Sequence, residues 1–372
     1  MDQFKLILLV TSFILPFVMG ITLLLHLQGY LSRKVMTFAL INTSLVFLFN
    51  FFYFQKDFQT YSYIHSLHIG TVLWIFPSIY LYVNSILNSR KGFNLALWHL
   101  LPGVLFMIVS AMLFYGFLNN TERIYYLSNY RNSDIHFAAL NLQAVRIFRF
   151  IDVIFIIAQI TYYSISITIS TNRYNEKLLN EFSNVENLSI NWIKGFNYSF
   201  LVVGILFICF YIFNPFKEQN TLLLLVILFG VSMFMWAMGI ASFKQKQLSE
   251  SQSEEIITND LVEISEIGTN NIELISRLID YVEIKQAFLQ SDLSMTSVCR
   301  EIGTNRTYLS ALINQQFGVN FNTFINQYRV KYVTYYLKEN PSTTKDELVQ
   351  LGGFGSLSSL NRAVNKKYEI ER

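Results

Sequence analysis

Between Phe4 and Phe243 the chain carries one apolar run after another. Each is close to the roughly 20 residues a helix needs to cross the hydrocarbon core of a bilayer. Within that core every backbone N–H and C=O must find its partner inside the protein, so runs of this length are committed to helix. They fall at 4–27, 35–54, 62–87, 95–118, 148–170, 196–213 and 221–243, and the expectation is a seven-transmembrane-helix bundle over residues 1–243. The first run is long for a secretory leader, no small-residue cleavage site follows it, and six more runs come after, so it reads as a retained span. Pro77 and Pro102 lie inside expected spans, where neighbouring helices can satisfy the backbone groups that proline frees.

Composition agrees with this class. Charged residues are only 14% of the chain and apolar residues 52%, where soluble domains carry about 25% charge. Lys and Arg in short loops set orientation, because positive loops tend to stay cytoplasmic. The breaks after the odd-numbered spans hold Arg33, Lys34, Arg90, Lys91, Arg173, Lys177, Lys194, Lys244 and Lys246. The other side holds Lys5, Lys56, Arg123, Arg131, Arg146, Arg149 and Lys217. Nine against seven places the N-terminus outside and everything after Phe243 in the cytoplasm, which for a bacterium means a multi-pass protein of the inner membrane. Two cysteines, Cys209 and Cys299, provide neither a disulfide framework nor metal-ligand spacing. Cys299 reads as a small core residue rather than a redox sensor.

After Phe243 the character changes. Residues 244–271 form a polar, acidic linker, and from Ser249 to Glu283 nine acids face the single Arg277. Ile257, Leu261 and Ile264 keep a heptad-like spacing for about two turns, too short to establish a coiled coil, so a dimerising stalk and hence a homodimer is one reading of this stretch. From Lys285 onward the balance reverses to eleven Lys and Arg against seven acids.

Residues 272–372 read as an all-α domain. Ile272, Ile275, Leu278, Ile279 and Val282 give a helix one apolar face. Ser294 stands where an N-cap belongs, Val298, Cys299 and Ile302 point a short helix inward, and Gly303 supplies the open backbone of a tight turn. A second helix starts near Asn305 with Leu309, Leu312 and Ile313 on one side. A long helix follows Gly318-Val319-Asn320, with Phe324, Ile325, Tyr328, Val333 and Leu337 at core spacing and Arg329 projecting from it. Pro341-Ser342-Thr343-Thr344 ends it, and Leu348 through Arg362 repeat the helix-turn-helix plan. Two such units on one rigid helix would present two recognition helices to successive major grooves about 34 Å apart.

The stretches Leu293 through Gly303, Tyr308-Leu309-Ser310, Phe317-Gly318-Val319, Asn320 through Arg329, and Gly353-Phe354-Gly355-Ser356 through Asn361-Arg362-Ala363 resemble the AraC/XylS family of transcription regulators. The form is Bacteroidetes-like, in which this domain follows a multi-span membrane region. The resemblance covers about the last quarter of the chain. It implies base reading by Thr307, Ser310, Ala311 and Asn314 from the first recognition helix, with Arg306 near phosphate. From the second helix it implies contacts by Ser358, Ser359, Asn361 and Arg362, with Lys366 and Lys367 on the backbone. The sequence departs from the family at Val333, where a small Ala is usual, and at Leu360 and Val364, which replace aromatic anchors. Since Ser310, Ala311 and Ser358 are small, bidentate base contacts rest on Asn314, Asn361 and Arg362, and phosphate contacts and DNA shape must do more.

In the membrane region, Asp152 is an acid inside the fifth expected span with Arg149 one turn before it, either a structural pair or part of a sensing site. His65 and His68 lie one turn apart and His136 lies in the long outer break; they read as interfacial residues, with His65 and His68 joining Arg149 and Asp152 as the candidates for a sensing site and with no defined third ligand for a metal. Asn42, Asn50, Asn84 and Gln159 read as interhelical contacts. No phosphate-cradling loop, kinase histidine context, HExxH or nucleophile elbow occurs, so no enzyme and no cofactor is expected. The expectation is a membrane-anchored, DNA-binding transcription regulator that senses an unknown small-molecule or envelope signal. The alternative is a receptor or transporter whose C-terminal helices bind a protein partner.

Overall fold

The computed structural model describes residues 3–26, 31–87, 96–129, 140–185, 188–213, 221–244 and 271–370. The expected linker, with Ile257, Leu261 and Ile264, lies outside the described residues, as does His136. Every named element among the described residues is helical, apart from one isolated antiparallel bridge between Phe182 and Ser294. The chain divides into two compact units. One comprises Met1–Thr171 with Asn191–Gln245, the other Asn172–Ile190 with Lys246–Arg372.

The first unit contains α1 (Gln3–Leu25), α2 (Leu31–Phe54), α3 (Phe58–Leu73), α4 (Ile75–Leu87), α5 (Leu101–Gly116), α6 (Asn120–Asn129), most of α7 (Leu140–Glu181), α8 (Trp192–Phe213) and α9 (Thr221–Lys244). Helix α2 packs against α1, α3, α4 and α9, so its mid-length is buried through Met36, Ala39, Leu40 and Phe47. Polar bonds tie the helices together: Asn42 Nδ2 donates to Thr71 O at 2.9 Å, Ser44 Oγ to Phe13 O at 2.8 Å, and Asn197 Nδ2 to Ser164 O at 2.9 Å. Phe17, Ile108, Met112, Phe150, Ile154 and Ile165 remain exposed, a greasy exterior that water would penalise.

Six described helical stretches are long and apolar enough to cross a membrane: 3–25, 31–54, 58–86, 97–116, 140–181 and 222–244. The sixth expected span falls in α8, a 22-residue apolar helix that is not among these six. The third stretch is two helices, α3 and α4, meeting at Trp74. Pro77 therefore stands in the first turn of α4 and Pro102 in the first turn of α5, where no intrahelical N–H bond is lost. Among the described residues, the proline in a helix interior is Pro16 of α1.

The second unit is built from α10 (Asn271–Ile279), α11 (Met295–Ile302), α12 (Arg306–Phe317), α13 (Phe321–Glu339), α14 (Lys345–Leu351) and α15 (Leu357–Ile370), with the residues 172–190. Its first core gathers Leu274, Leu278, Val282, Phe288, Leu293, Met295, Val298, Cys299, Ile302, Leu309, Leu312, Ile313, Phe321, Phe324 and Ile325, among others. Cys299 takes the small-core place expected of it. The second core is Val330, Val333, Leu348, Phe354 and Leu360. Leu360 thus anchors α15 although it is smaller than an aromatic.

Three side chains differ from the sequence reading. Ile272 is 84% exposed and Leu274 takes its place, because α10 and the π-helical turn Asp280–Ile284 that continues it bury the i, i+4, i+8 row Leu274, Leu278 and Val282. Leu337 is exposed, since the last turn of α13 meets the second core through Tyr336 and turns Leu337 away from it. Arg329 does not project into solvent: its side chain is wholly buried.

Candidate nucleic-acid interface

The first helix-turn-helix unit is set by local capping. The Ser294 side chain accepts from the Ser297 N–H at 3.2 Å, and Ser297 Oγ accepts in return from the Ser294 N–H at 3.1 Å, closing a capping box on α11. Gly303 ends α11 at φ +74°, a left-handed conformation that a side chain would strain. Asn305 Oδ1 then accepts from the Tyr308 N–H at 2.8 Å and starts α12. Burial of Leu309, Leu312 and Ile313 fixes the rotation of α12. Thr307, Ser310 and Ala311 end up half-buried and Asn314 exposed. The Asn314 amide offers a donor and an acceptor side by side, the pattern that pairs with adenine.

The second unit repeats the device. Thr344 and Glu347 form a capping box on α14, with the Thr344 N–H donating to Glu347 Oε2 at 2.8 Å. Gly353 makes the turn at φ +68°, and a Cβ there would also collide with the Leu289 backbone. Ser356 and Ser359 cap α15 reciprocally, each N–H donating to the other's Oγ at 3.2 Å. Ser359 is therefore half-buried and engaged in the cap, while Ser358, Asn361 and Arg362 are exposed. Lys366 and Lys367 belong to α15, and their side chains lie outside the described residues.

Arg306, expected near phosphate, forms an ion pair with Glu181, and only 10% and 17% of the two side chains remain exposed. The sequence reading took 172–190 as a cytoplasmic break carrying Arg173 and Lys177 and gave it no part in the C-terminal domain. These residues follow the fifth expected span without a Gly or Pro between Leu140 and Ile190, and that missing breaker is the signal that α7 continues. Ser183 N–H and Oγ both donate to Leu293 O, at 3.1 and 2.7 Å. Asn322 Nδ2 donates to Phe182 O at 3.2 Å and Ser183 O at 2.8 Å.

Arg329 sits where the two cores meet. Its Nε donates to Phe288 O at 2.6 Å, and Nη2 donates to Gln290 O at 2.7 Å and Ser183 Oγ at 3.0 Å. Nη1 donates to Ser183 O at 3.2 Å and Asn326 Oδ1 at 3.3 Å, and the guanidinium lies 5.8 Å from the Phe354 ring centre. Burial lowers its pKa to about 10, which leaves it charged at neutral pH. A buried cation bonded this fully acts as a bolt for the loop around 288–290.

In the first unit, the residues singled out for sensing come together. Arg149 pairs with the wholly buried Asp152. His65 stacks on Phe114 at 4.3 Å, and His68 Nδ1 lies 2.6 Å from Tyr61 Oη. Tyr61, His65, His68, Tyr126 and Arg149 line one cavity of about 20 Å³ measured to water centres, room for about one water molecule. No group of three or more metal-ligating residues occurs among the described residues.

No curated protein and no solved structure matches the chain. Residues 298–371 match a family model described as a helix-turn-helix domain, a DNA-binding regulatory family rather than a catalytic one. The match runs from within α11 to the end of α15, includes both recognition helices, and supports an AraC-type regulator.

Proposed function

We propose that this chain is a membrane-anchored, sequence-specific transcription regulator. Its seven-span region sits in the inner membrane with the N-terminus outside, and its tandem helix-turn-helix domain reads double-stranded DNA from the cytoplasmic side. The observation that carries this reading is the pair of capped helix-turn-helix units on one shared helix, with Asn314, Ser358, Asn361 and Arg362 left exposed on α12 and α15. Their chemistry suits major-groove edges: Asn to adenine, Arg to guanine. The apolar exterior of the first unit supports the membrane assignment, and the cavity beside Arg149 and His65 is the candidate for the sensing end.

The test is binding of the full-length protein, in detergent or nanodiscs, to duplex DNA across a salt series. Lys and Arg release counterions from phosphate, so affinity should fall steeply as salt rises. Absence of binding at low salt defeats the reading. Arg362→Ala should cost roughly 1–3 kcal/mol and relax preference at one base position if Arg362 reads a base. Genome-wide mapping of the bound DNA in the host would name the regulated genes, and accessibility labelling of each loop would test the span count and orientation.

A further inference from the structure

We propose that the segment Glu181–Asn184 is an intramolecular ligand of the helix-turn-helix domain that holds Arg306 away from DNA and must release it for full binding; this rests on the DNA-binding reading above. The segment is seated by main-chain bonds of the kind an added strand makes. Phe182 bridges Ser294, the N-cap of α11, in antiparallel fashion, and Ser183 is only 1% exposed, with its N–H, Oγ and O all bonded. Asn322 and Arg329 of α13 donate to it. Asn184 lies over Gly355, just before α15, where an added Cβ would run into its amide. Four residues thus touch the first helix-turn-helix unit, the shared helix and the second helix-turn-helix unit.

Glu181 adds a function to this seat. Its carboxylate pairs with Arg306 at the first turn of α12, and both side chains are largely withdrawn from water. The Glu181 carboxylate neutralises the guanidinium and repels any phosphate that approaches, so a phosphate contact by Arg306 is opposed while the pair is intact. The anchors and the mask are different groups, so the mask can be removed by itself. Glu181 is also the last residue of α7, whose earlier turns belong to the first unit. A change in α7 therefore acts on the seat through the chain itself.

The experiment compares full-length wild type, Glu181→Gln, Glu176→Gln, Arg306→Ala and the Glu181→Gln/Arg306→Ala double variant for binding to a mixed-sequence duplex across a salt series. Glu176 is an exposed acid on the same helix and controls for net charge. Glu181→Gln should bind about tenfold tighter at low salt with a salt slope steeper by about one, the signature of one more phosphate contact. Glu176→Gln should match wild type, and the double variant should lose the gain. Binding by all proteins with no difference between Glu181→Gln and wild type, or an equal gain in Glu176→Gln, overturns this inference and leaves the DNA-binding reading intact. No binding by any of them overturns both.

Discussion

The first helix-turn-helix unit buries sixteen residues in its core, drawn from α10, α11, α12, the start of α13 and the turns between them, whereas the core of the second holds five among the described residues. Both use the same local devices: a capping box, a left-handed glycine in the turn, and a leucine or isoleucine row fixing the recognition helix. Local geometry is therefore equal and foundation is not. The second unit leans on Val330 and Val333 of α13, and α13 is held by Phe321, Phe324 and Ile325 in the first core. Hydrophobic stabilisation scales with buried apolar area, so the second unit should be the first to open and the easier to tune.

Arg329 is where this contrast is most easily broken. Arg329→Ala leaves the carbonyls of Phe288, Gln290 and Ser183 without their charged donor, and unsatisfied buried groups of this kind add up to a loss of roughly 3–5 kcal/mol. Hydrogen exchange of the full-length protein should show protection falling in both units together; a loss confined to α14 and α15 would remove Arg329 from its place as the bolt. Leu360→Ala should cost roughly 2–3 kcal/mol by cavity formation, lowering protection in α14 and α15 and leaving α10 to α12 unchanged. Equal loss in both units would show that they fold as one. Ser294→Ala removes one capping bond from the better-founded unit and should cost about 1 kcal/mol, read as faster exchange at the start of α11 alone.

The smallest effect is a pH dependence of the second unit. The Glu347 carboxylate accepts hydrogen bonds from the Thr344 N–H and hydroxyl, which hold its pKa below the ordinary 4.5. A carboxyl lowered in the folded state contributes stability above its unfolded pKa and loses it as pH falls through the folded value. Exchange in α14, corrected for intrinsic rate, should therefore speed up on the acid side of 4.5, and Glu347→Gln, which removes the titrating group, should abolish that step.

Much of the C-terminal domain was legible because its signals are local. Ser294, Gly303, Asn305, Gly318 and Thr344 each mark a helix boundary within a few residues, and each stands at the boundary it predicts. The apolar face of α12 followed from spacing alone. What misled was the assumption that a long charged side chain points outward: Arg329 lies on the same turn of α13 as buried Val330, and its burial depends on carbonyls 39 to 41 residues earlier. Ile272 and Leu274 are equally apolar, and only the packing partner decides which of them goes inside.

By itself, the sequence determined the elements: helices long and apolar enough for a membrane, then a doubled helix-turn-helix, because hydrophobic period, caps and turn glycines act over a few residues. Tertiary structure alone decided which distant groups meet. Glu181 and Arg306 are partners, as are Ser183 and Arg329, 146 residues apart. Such pairings depend on how cores orient whole helices, and no periodicity along the chain encodes them.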